Sequence, residues 1–378
     1  MDIRIIVTIV IIMMSLRDFI FCGDRFDFEG RYYNKFEINE IQPPQINEEQ
    51  FSCKKTAFIV NKSGELIEIK APYSYKPGSI ISWRIYCGST NPWAIKETYT
   101  RDVKIAGHYH NGKIPKLKVS DVSLTPNPPP LTSFRDVDSE FYLPFSGSLQ
   151  GKTTYYYWEY VGEFSHILYE TTQWIGGCSG TQKDEIYIKI ENLVELEPGL
   201  GYVLVGSTQT HPYNHYVVPE FKKDLENIGK DWKKSCPKSD PLYYNDASLP
   251  WGGLFDININ WAQPHIGHRY GFEIDISKKW IRKGNREKAI NIMCKYAEVY
   301  SEGDKPGEYP HYHIVDRNAS KEVFEELEEG IKEEKIKPCC PTIDENGKIT
   351  QIPKECIDLQ SAGQPIPEVL PEQGDCNN

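Results

Sequence analysis

Two different spacings of apolar residues divide the chain into two parts. Before about residue 200, short runs rich in Ile, Val, Tyr and Trp alternate with Gly, Pro, Asn and Ser, a pattern typical of β-strands and their turns. Residues 155–160 (YYYWEY) favour a strand and are too aromatic for a surface helix. We therefore predict a β-sandwich domain over residues 51–198. Its expected strands are 57–60, 66–70, 80–86, 153–161 and 185–190.

Helical spacing appears only after about residue 200. Apolar residues there recur at intervals of three and four, which predicts amphipathic helices after Pro219 and Ser320 and a further one between them. Strands are expected at 253–258, 271–276 and 311–315. We therefore predict an α+β domain with a small antiparallel sheet over residues 199–336. The expected helices carry Phe221, Leu225, Ile228 and Trp232; Ala289, Ile290, Met293, Cys294, Ala297 and Tyr300; and Val323, Phe324, Leu327 and Ile331.

The first residues have the features of an export signal. Arg4 precedes an apolar run, 5–16, that is too short to span a bilayer but long enough for a signal-peptide core. Cys22 offers a second interpretation of residues 1–22, as a lipoprotein leader that would attach the protein to a membrane through a lipidated cysteine. Residues 23–50 are polar and proline-containing, which indicates a linker. We expect a secreted, periplasmic or cell-surface protein, with lipid anchoring as the alternative.

The net charge and the cysteine content reduce the number of function classes that fit the chain. The 378 residues carry a formal charge of -11 without a cationic cluster, which argues against a nucleic-acid partner. Ten cysteines suit an oxidising compartment, where disulfides persist. No C-x-x-C pair exists, so a cysteine zinc cluster is not expected. The Cys- and Pro-rich tail, residues 337–378, has no periodicity and is either pinned by disulfides or loose.

Six of the nine histidines lie between residues 211 and 313, and two short segments among them suggest a metal site. In a strand over 272–276, Asp275 would face away from the apolar side chains, and Gly271 would let the chain bend so that His268 returns to the same point. His311 and His313, two residues apart in a strand, would share a face. Imidazole and carboxylate groups are good zinc ligands, and three of them with one open position is the catalytic arrangement.

These two segments resemble a known family of enzymes. His-x-x-Gly-x-x-x-Asp (His268, Gly271, Asp275) followed by His-x-His (His311, His313) is similar to the zinc peptidases that include lysostaphin, the D-Ala-D-Ala metallopeptidases and the hedgehog domain, most of all to the penicillin-insensitive murein endopeptidases. The similarity covers about residues 200–318. It implies Zn²⁺ held by His268, Asp275 and His313, with His311 as a catalytic histidine. Residues 251–256, which lead into the first motif, resemble exported bacterial proteins in which such a domain follows an immunoglobulin-like one, and this implies that the β-sandwich over residues 51–198 is immunoglobulin-like.

A rival assignment of the base comes from the same family. Some dipeptidase members have Glu-x-x-His, which here would make Glu308 the base and His311, rather than His313, the ligand. We favour His313 as the ligand and keep His311 and Glu308 as candidate catalytic residues. The first motif carries Arg269, Tyr270 and Glu273 where the murein endopeptidases usually have a Ser or Thr and a small residue.

Other polar residues have weaker assignments. Four are candidates for substrate binding: His211, His215, His265 and Arg269. The alternatives for the first two are hydrogen-bonded loop caps, and for His265 a turn after proline. His108 and His110 are expected to be a surface pair on a strand, and Asp256 to support a turn, with orientation of His268 as its alternative role.

The family resemblance and the export signal together imply a function. We expect an exported zinc metallopeptidase that hydrolyses peptide bonds of peptidoglycan, or of another peptide substrate, through a zinc-activated water. The alternative is a secreted binding or adhesion protein that is stabilised by a metal ion and lacks catalysis.

Overall fold

The protein is described by a computed structural model, which leaves the expected leader and linker, Cys22 included, outside the described residues. Within the described part of the chain, no helix is both long and apolar enough to cross a bilayer. The described residues are 53–60, 65–87, 93–110, 114–120, 129–137, 140–143, 152–157, 162–173, 179–256, 258–261, 267–303, 309–333, 336–342, 348–358 and 376.

Two β-sheets form the first part of the chain. One has the strand order β2-β1-β4-β9-β6-β7 and the other β3-β11-β10-β5-β8. The strands are β1 (Cys53–Val60), β2 (Leu66–Ile69), β3 (Tyr73–Tyr75), β4 (Ile80–Cys87), β5 (Trp93–Asp102), β6 (Lys118–Val119), β7 (Arg135–Asp136), β8 (Glu140–Leu143), β9 (Lys152–Tyr157), β10 (Glu163–Gln173) and β11 (Ser179–Ile188).

Both sheets contribute to one cluster of buried side chains. Trp83 and Tyr156 come from the first sheet, and Ile167 and Ile186 from the second. The Trp83 and Tyr156 rings meet edge to face, with centroids 4.3 Å apart. All five strands expected from the sequence overlap strands of this part, whereas β5 and β10, which are rich in polar residues, were not predicted. The immunoglobulin-like type of sandwich stays a prediction.

After residue 188, the described residues form a third large sheet, a pair of short strands and four α-helices. The sheet has the order β13-β15-β16-β18-β17-β19, and β12 pairs with β14. The strands are β12 (Val194–Glu195), β13 (Tyr202–Leu204), β14 (Tyr216–Val217), β15 (Leu242–Tyr244), β16 (Glu273–Ser277), β17 (Ala297–Glu302), β18 (His311–Asp316) and β19 (Lys337–Pro338); the helices are α1 (Pro219–Ser235), α2 (Lys283–Met293), α3 (Lys321–Lys332) and α4 (Lys354–Ile357).

Two of the three predicted helices are present as expected, and the third is shorter than predicted. Helices α1 and α3 are confirmed at the expected positions. The helix between them ends at Met293, and the expected helical residues Ala297 and Tyr300 lie in β17 instead. They were mistaken for helix because three-residue spacing also fits a strand whose two faces are both buried. Ala297 packs in the main core, whereas Tyr300 packs in a separate cluster on the other face.

A turn replaces the strand expected at 253–258. Gly252 and Gly253 have φ values of 68° and 80°, in the left-handed region that glycine adopts without strain. No strand includes residues 253–256. The bend directs Asp256 towards a cluster of histidines described below.

The core of the second part lies on one side of its sheet. Helix α1 contributes Phe221 and Trp232, and β16 and β18 contribute Ile274, Ile276 and Tyr312. Because side chains alternate along a strand, the residues between these apolar ones face the opposite side of the sheet. The core therefore fixes the direction of Asp275, His311 and His313.

Disulfides attach the tail to this core. Among the described residues, three disulfide bonds form: Cys236–Cys376, Cys294–Cys340 and Cys339–Cys356. Of the two interpretations of the tail, its described residues support the pinned one.

Candidate metal centre

Two adjacent antiparallel strands carry most of the predicted ligands. In the register of β16 and β18, Asp275 lies opposite His313, and Ser277 lies opposite His311. His268 comes from a single 3₁₀ turn, Gly267–Arg269, which precedes β16. Gly271 between them has a φ of 75°, and a Cβ atom there would lie 2.3 Å from Leu193 Cδ2. A glycine is therefore needed both for the bend and for the close packing that return His268 to the strands.

The structure brings His268, Asp275 and His313 together. His268 Nε2 lies 3.4 Å from Asp275 Oδ2, and His313 Nδ1 lies 2.9 Å from Asp275 Oδ1. The candidate ligand atoms of the three residues are all within 4.8 Å of one another, and all three side chains are buried. Two imidazole nitrogens and a carboxylate oxygen at this spacing could hold a metal ion.

His311 and a residue that the sequence did not indicate, Glu302, stand next to this group. His311 Nε2 lies 3.5 Å from Asp275 Oδ1 and 3.6 Å from Glu302 Oε2. Glu302, His311 and His313 form a second group that could hold a metal ion, with His313 in common. Strand β17 pairs with β18 so that Glu302 lies opposite His311. A strand prediction for residues 297–302, paired with the strand at 311–315, would have placed Glu302 beside His311. The sequence interpretation missed this pairing because it placed Ala297 and Tyr300 in a helix.

The histidines around Asp275 keep its carboxyl group ionised, which is the form that binds a metal ion. Burial raises the pKa of the Asp275 carboxyl, but the neighbouring His311 and His268 outweigh it and hold that pKa well below its ordinary value. Burial lowers the pKa of His313, yet hydrogen bonds to Asp275 and Glu273 raise it well above normal. A metal ion at His313 therefore competes with a proton, which is usual for imidazole ligands.

Asp246 is a further buried carboxyl beside the site. Burial, and next the negative charge of Asp275, raise the pKa of Asp246 to about 6. Its backbone carbonyl accepts the Asp275 N–H at 2.9 Å, and its side chain accepts a hydrogen bond from Asn214 Nδ2 at 2.7 Å. Asp246 thus helps to hold β16 in position.

Glu273 lies behind the outer nitrogen of His313. Its Oε1 is 3.4 Å from His313 Nε2, while the Nδ1 of that ring faces Asp275. A carboxylate on the outer nitrogen fixes the ring and raises its basicity as a ligand. Glu273 is one of the positions at which the first motif differs from that of the murein endopeptidases.

Replacing Glu273 with glutamine is therefore expected to weaken zinc binding about 10- to 100-fold. The dissociation constant is measured by competition with a chromophoric chelator. Glu298→Gln is the matched control, because Glu298 is an exposed carboxylate on β17 that pairs with Arg317. An unchanged zinc affinity in Glu273→Gln would show that Glu273 does not support a ligand.

The other predicted site residues lie apart from this group or outside the described part. His265 and Glu308 are outside the described residues. His215 is a buried loop residue whose Nε2 contacts the Val205 carbonyl at 2.8 Å, as in the loop-cap interpretation. Arg269 is also buried. His211 lies in a different cluster.

That cluster corrects the interpretation of His108 and His110 as a surface pair on a strand. Both follow β5 in an irregular segment, and His108 is fully buried. Together with His211 and Asp256 they form another group that could hold a metal ion. Asp256 also supports a turn, as expected, because its carbonyl accepts the Ile259 N–H.

Comparison with known proteins adds no family assignment to this geometry. No protein-family model matches the chain, and the curated proteins contain no sequence that matches it.

Proposed function

We propose that the protein is a zinc-dependent hydrolase that cleaves peptide bonds, with peptidoglycan peptides as its substrate class. The observation that carries this proposal is the convergence of His268, Asp275 and His313 with His311 beside them. Three ligands of this type leave a fourth position of a tetrahedral ion for water or substrate. The resemblance of the two sequence motifs to murein endopeptidases supplies the substrate class.

The ion and the protein would share the chemistry. A bound zinc ion supplies Lewis acidity, which polarises a carbonyl group and lowers the pKa of water towards about 7. His311 is the residue we assign to proton transfer. Its Nδ1 lies 2.8 Å from the Tyr309 carbonyl oxygen, so that the N–H is donated there and Nε2 is directed to the site. Glu302 Oε2, 3.6 Å from that Nε2, would then orient the ring and stabilise its protonated form.

Substrate would approach from the side of Glu302. The Glu302 side chain is 32% exposed, whereas those of His311 and His313 are 9% and 7% exposed. Tyr309 is also exposed at this edge, and its hydroxyl lies 2.9 Å from Ser277 Oγ. An edge with an exposed carboxylate and a phenol suits a polar peptide.

Export belongs to the same proposal. Three disulfides in the second part of the chain support an oxidising compartment, because such bonds are rare where thiols are kept reduced. The proposal therefore includes a secreted, periplasmic or cell-surface location, which is where peptidoglycan is found. Lipid attachment through Cys22 is the alternative to free secretion.

A second candidate function is a metal-stabilised binding or adhesion protein without turnover. The observation that favours it is the burial of His311 and His313, which leaves little open surface at the ion. An exchangeable water on the ion separates the two functions, since catalysis needs an open position and a purely structural ion does not.

Digestion of purified peptidoglycan tests the enzyme. We expect the full chain to release muropeptides, to lose this activity after chelation, and to regain it on addition of Zn²⁺. The products are separated by chromatography, and mass spectrometry identifies the bond that is cleaved. Release that continues unchanged in chelator, in protein shown to be free of metal, would contradict a zinc-dependent mechanism.

A further inference from the structure

Four buried side chains outside the candidate metal centre converge on one point. His108 and His110 follow β5, His211 lies in the loop between β13 and β14, and Asp256 follows the Gly252-Gly253 bend. The backbone joins two of these segments, because the Tyr109 N–H donates to the Thr210 carbonyl at 2.8 Å. Residues about 100 to 150 positions apart in sequence are thereby brought into one cluster.

The distances within this cluster match metal coordination better than hydrogen bonding. His108 Nδ1 lies 3.3 Å from both His110 Nε2 and His211 Nε2. Asp256 Oδ1 lies 3.2 Å, 3.3 Å and 3.5 Å from the same nitrogens of His110, His211 and His108. Most of these separations exceed the usual 2.7–3.2 Å of an N–H···O hydrogen bond. Four ligands at about 2.0–2.1 Å from a tetrahedral zinc ion lie about 3.3–3.4 Å from one another.

The four inward atoms also need a common partner. A neutral imidazole carries one N–H, so three rings and one carboxylate cannot all satisfy each other at a single point. The outward nitrogens, His108 Nε2 and His110 Nδ1, have no hydrogen-bond partner among the described residues. A cation at the centre would satisfy one nitrogen of each ring and Asp256 Oδ1 together, and thus offset part of the cost of burying them.

The described surroundings bury the four side chains almost completely, as in a structural site. The side chains of His108 and Asp256 are fully buried, and those of His110 and His211 are 3% and 2% exposed. The indole of Trp261 covers the His108 and His110 rings, with centroids 4.7 Å and 4.5 Å away. Asp256 Oδ2, the oxygen that does not face the nitrogens, accepts the Trp261 backbone N–H at 2.6 Å. This second hydrogen bond orients the carboxylate, as partners of metal ligands commonly do.

We propose that His108, His110, His211 and Asp256 form a second, structural metal site for a tetrahedral zinc-like ion. With four protein ligands it has no open position for water or substrate, so its role is to stabilise the fold. The ion would tie the segment after β5 to the segment that leads to His268. The proposal does not depend on the proposed peptidase activity, because the two groups have no residue in common.

Metal stoichiometry tests this site separately from the candidate metal centre. The full chain is saturated with Zn²⁺, freed of loosely bound ions by gel filtration and analysed by elemental mass spectrometry. We expect two ions per chain in the original protein and one in the His268→Ala/His313→Ala double variant. Failure of the proposed catalytic site alone would leave this second ion bound. A folded double variant that retains no ion would overturn the proposal.

Variants of the second site provide the complementary measurement. His110→Ala is expected to lose one of the two ions and to lower Tm, whereas Tyr109→Ala, an exposed residue between the two histidines, should keep both ions. A His110→Ala protein that still holds two ions would contradict the assignment.

Cobalt gives a readout that does not require any second-site variant to fold. In the His268→Ala/His313→Ala protein, one Co²⁺ should show the intense visible absorption of four-coordinate geometry, since geometry is diagnostic of the ligand set. The weak spectrum of six-coordinate cobalt would overturn a closed tetrahedral site.

Discussion

Replacing His313 with alanine is expected to remove zinc from the candidate metal centre and to lower hydrolysis about 10³-fold or more. The substitution removes one of three proposed protein ligands, and with it the nitrogen that contacts Asp275 at 2.9 Å. A metal ion that polarises the scissile carbonyl stabilises the transition state by several kcal/mol, and each ~1.4 kcal/mol of stabilisation raises the rate about tenfold. Zinc content and the rate of muropeptide release are measured on the same preparation.

Tyr312→Phe is the control for this experiment. Tyr312 lies beside His313 on β18 but faces the core, where its hydroxyl donates to the Cys356 carbonyl at 2.8 Å. The variant should lose about 1 kcal/mol of stability and keep its metal and its activity. Hydrolysis that survives in a His313→Ala protein whose candidate metal centre holds no zinc would contradict the ligand assignment and the proposed function.

Replacing His311 with alanine is expected to separate catalysis from metal binding. If His311 transfers a proton, its loss should lower kcat about 10²- to 10⁴-fold, while the zinc content of the candidate metal centre stays unchanged. The reason is geometric, because His268, Asp275 and His313 can hold an ion without it. The variant is assayed for zinc stoichiometry and for kcat and KM on a soluble muropeptide.

A different outcome would support the second ligand group, Glu302, His311 and His313. If His311→Ala loses zinc as completely as His313→Ala does, His311 is a ligand and the ion occupies the group that includes Glu302. The pH dependence of kcat distinguishes the roles further, since a proton-transferring histidine contributes a limb that disappears in the alanine variant.

Local periodicity was sufficient to predict which side of the sheet the strand residues of the candidate metal centre face. Alternation along β16 and β18 puts Ile274 and Tyr312 in the core and leaves Asp275 and His313 on the other side. That follows from the geometry of any extended strand. The same reasoning succeeded for α1, whose apolar residues recur every three or four positions.

Local patterns failed where apolar residues of a strand recur at helical spacing or where few residues of a strand are apolar. In β17, Ala297 and Tyr300 are both buried but pack in clusters on opposite faces of the strand, and their spacing of three residues continues the helical pattern of α2. Strand β10 is predominantly polar and pairs with β5 and β11 on its two sides. Its place in the sheet is determined by backbone hydrogen bonds to neighbours, which side-chain type does not reveal.

By itself, the sequence determined the residues that alternate across β16 and β18, the helices α1 and α3, and the two motifs of the candidate metal centre. Only the tertiary structure decided that Glu302 stands beside His311, and that His108, His110 and Asp256 meet His211. Periodicity specifies the direction of a side chain relative to its own element. A cluster assembled from distant loops depends instead on how those elements pack against one another, and that information is spread over the whole core.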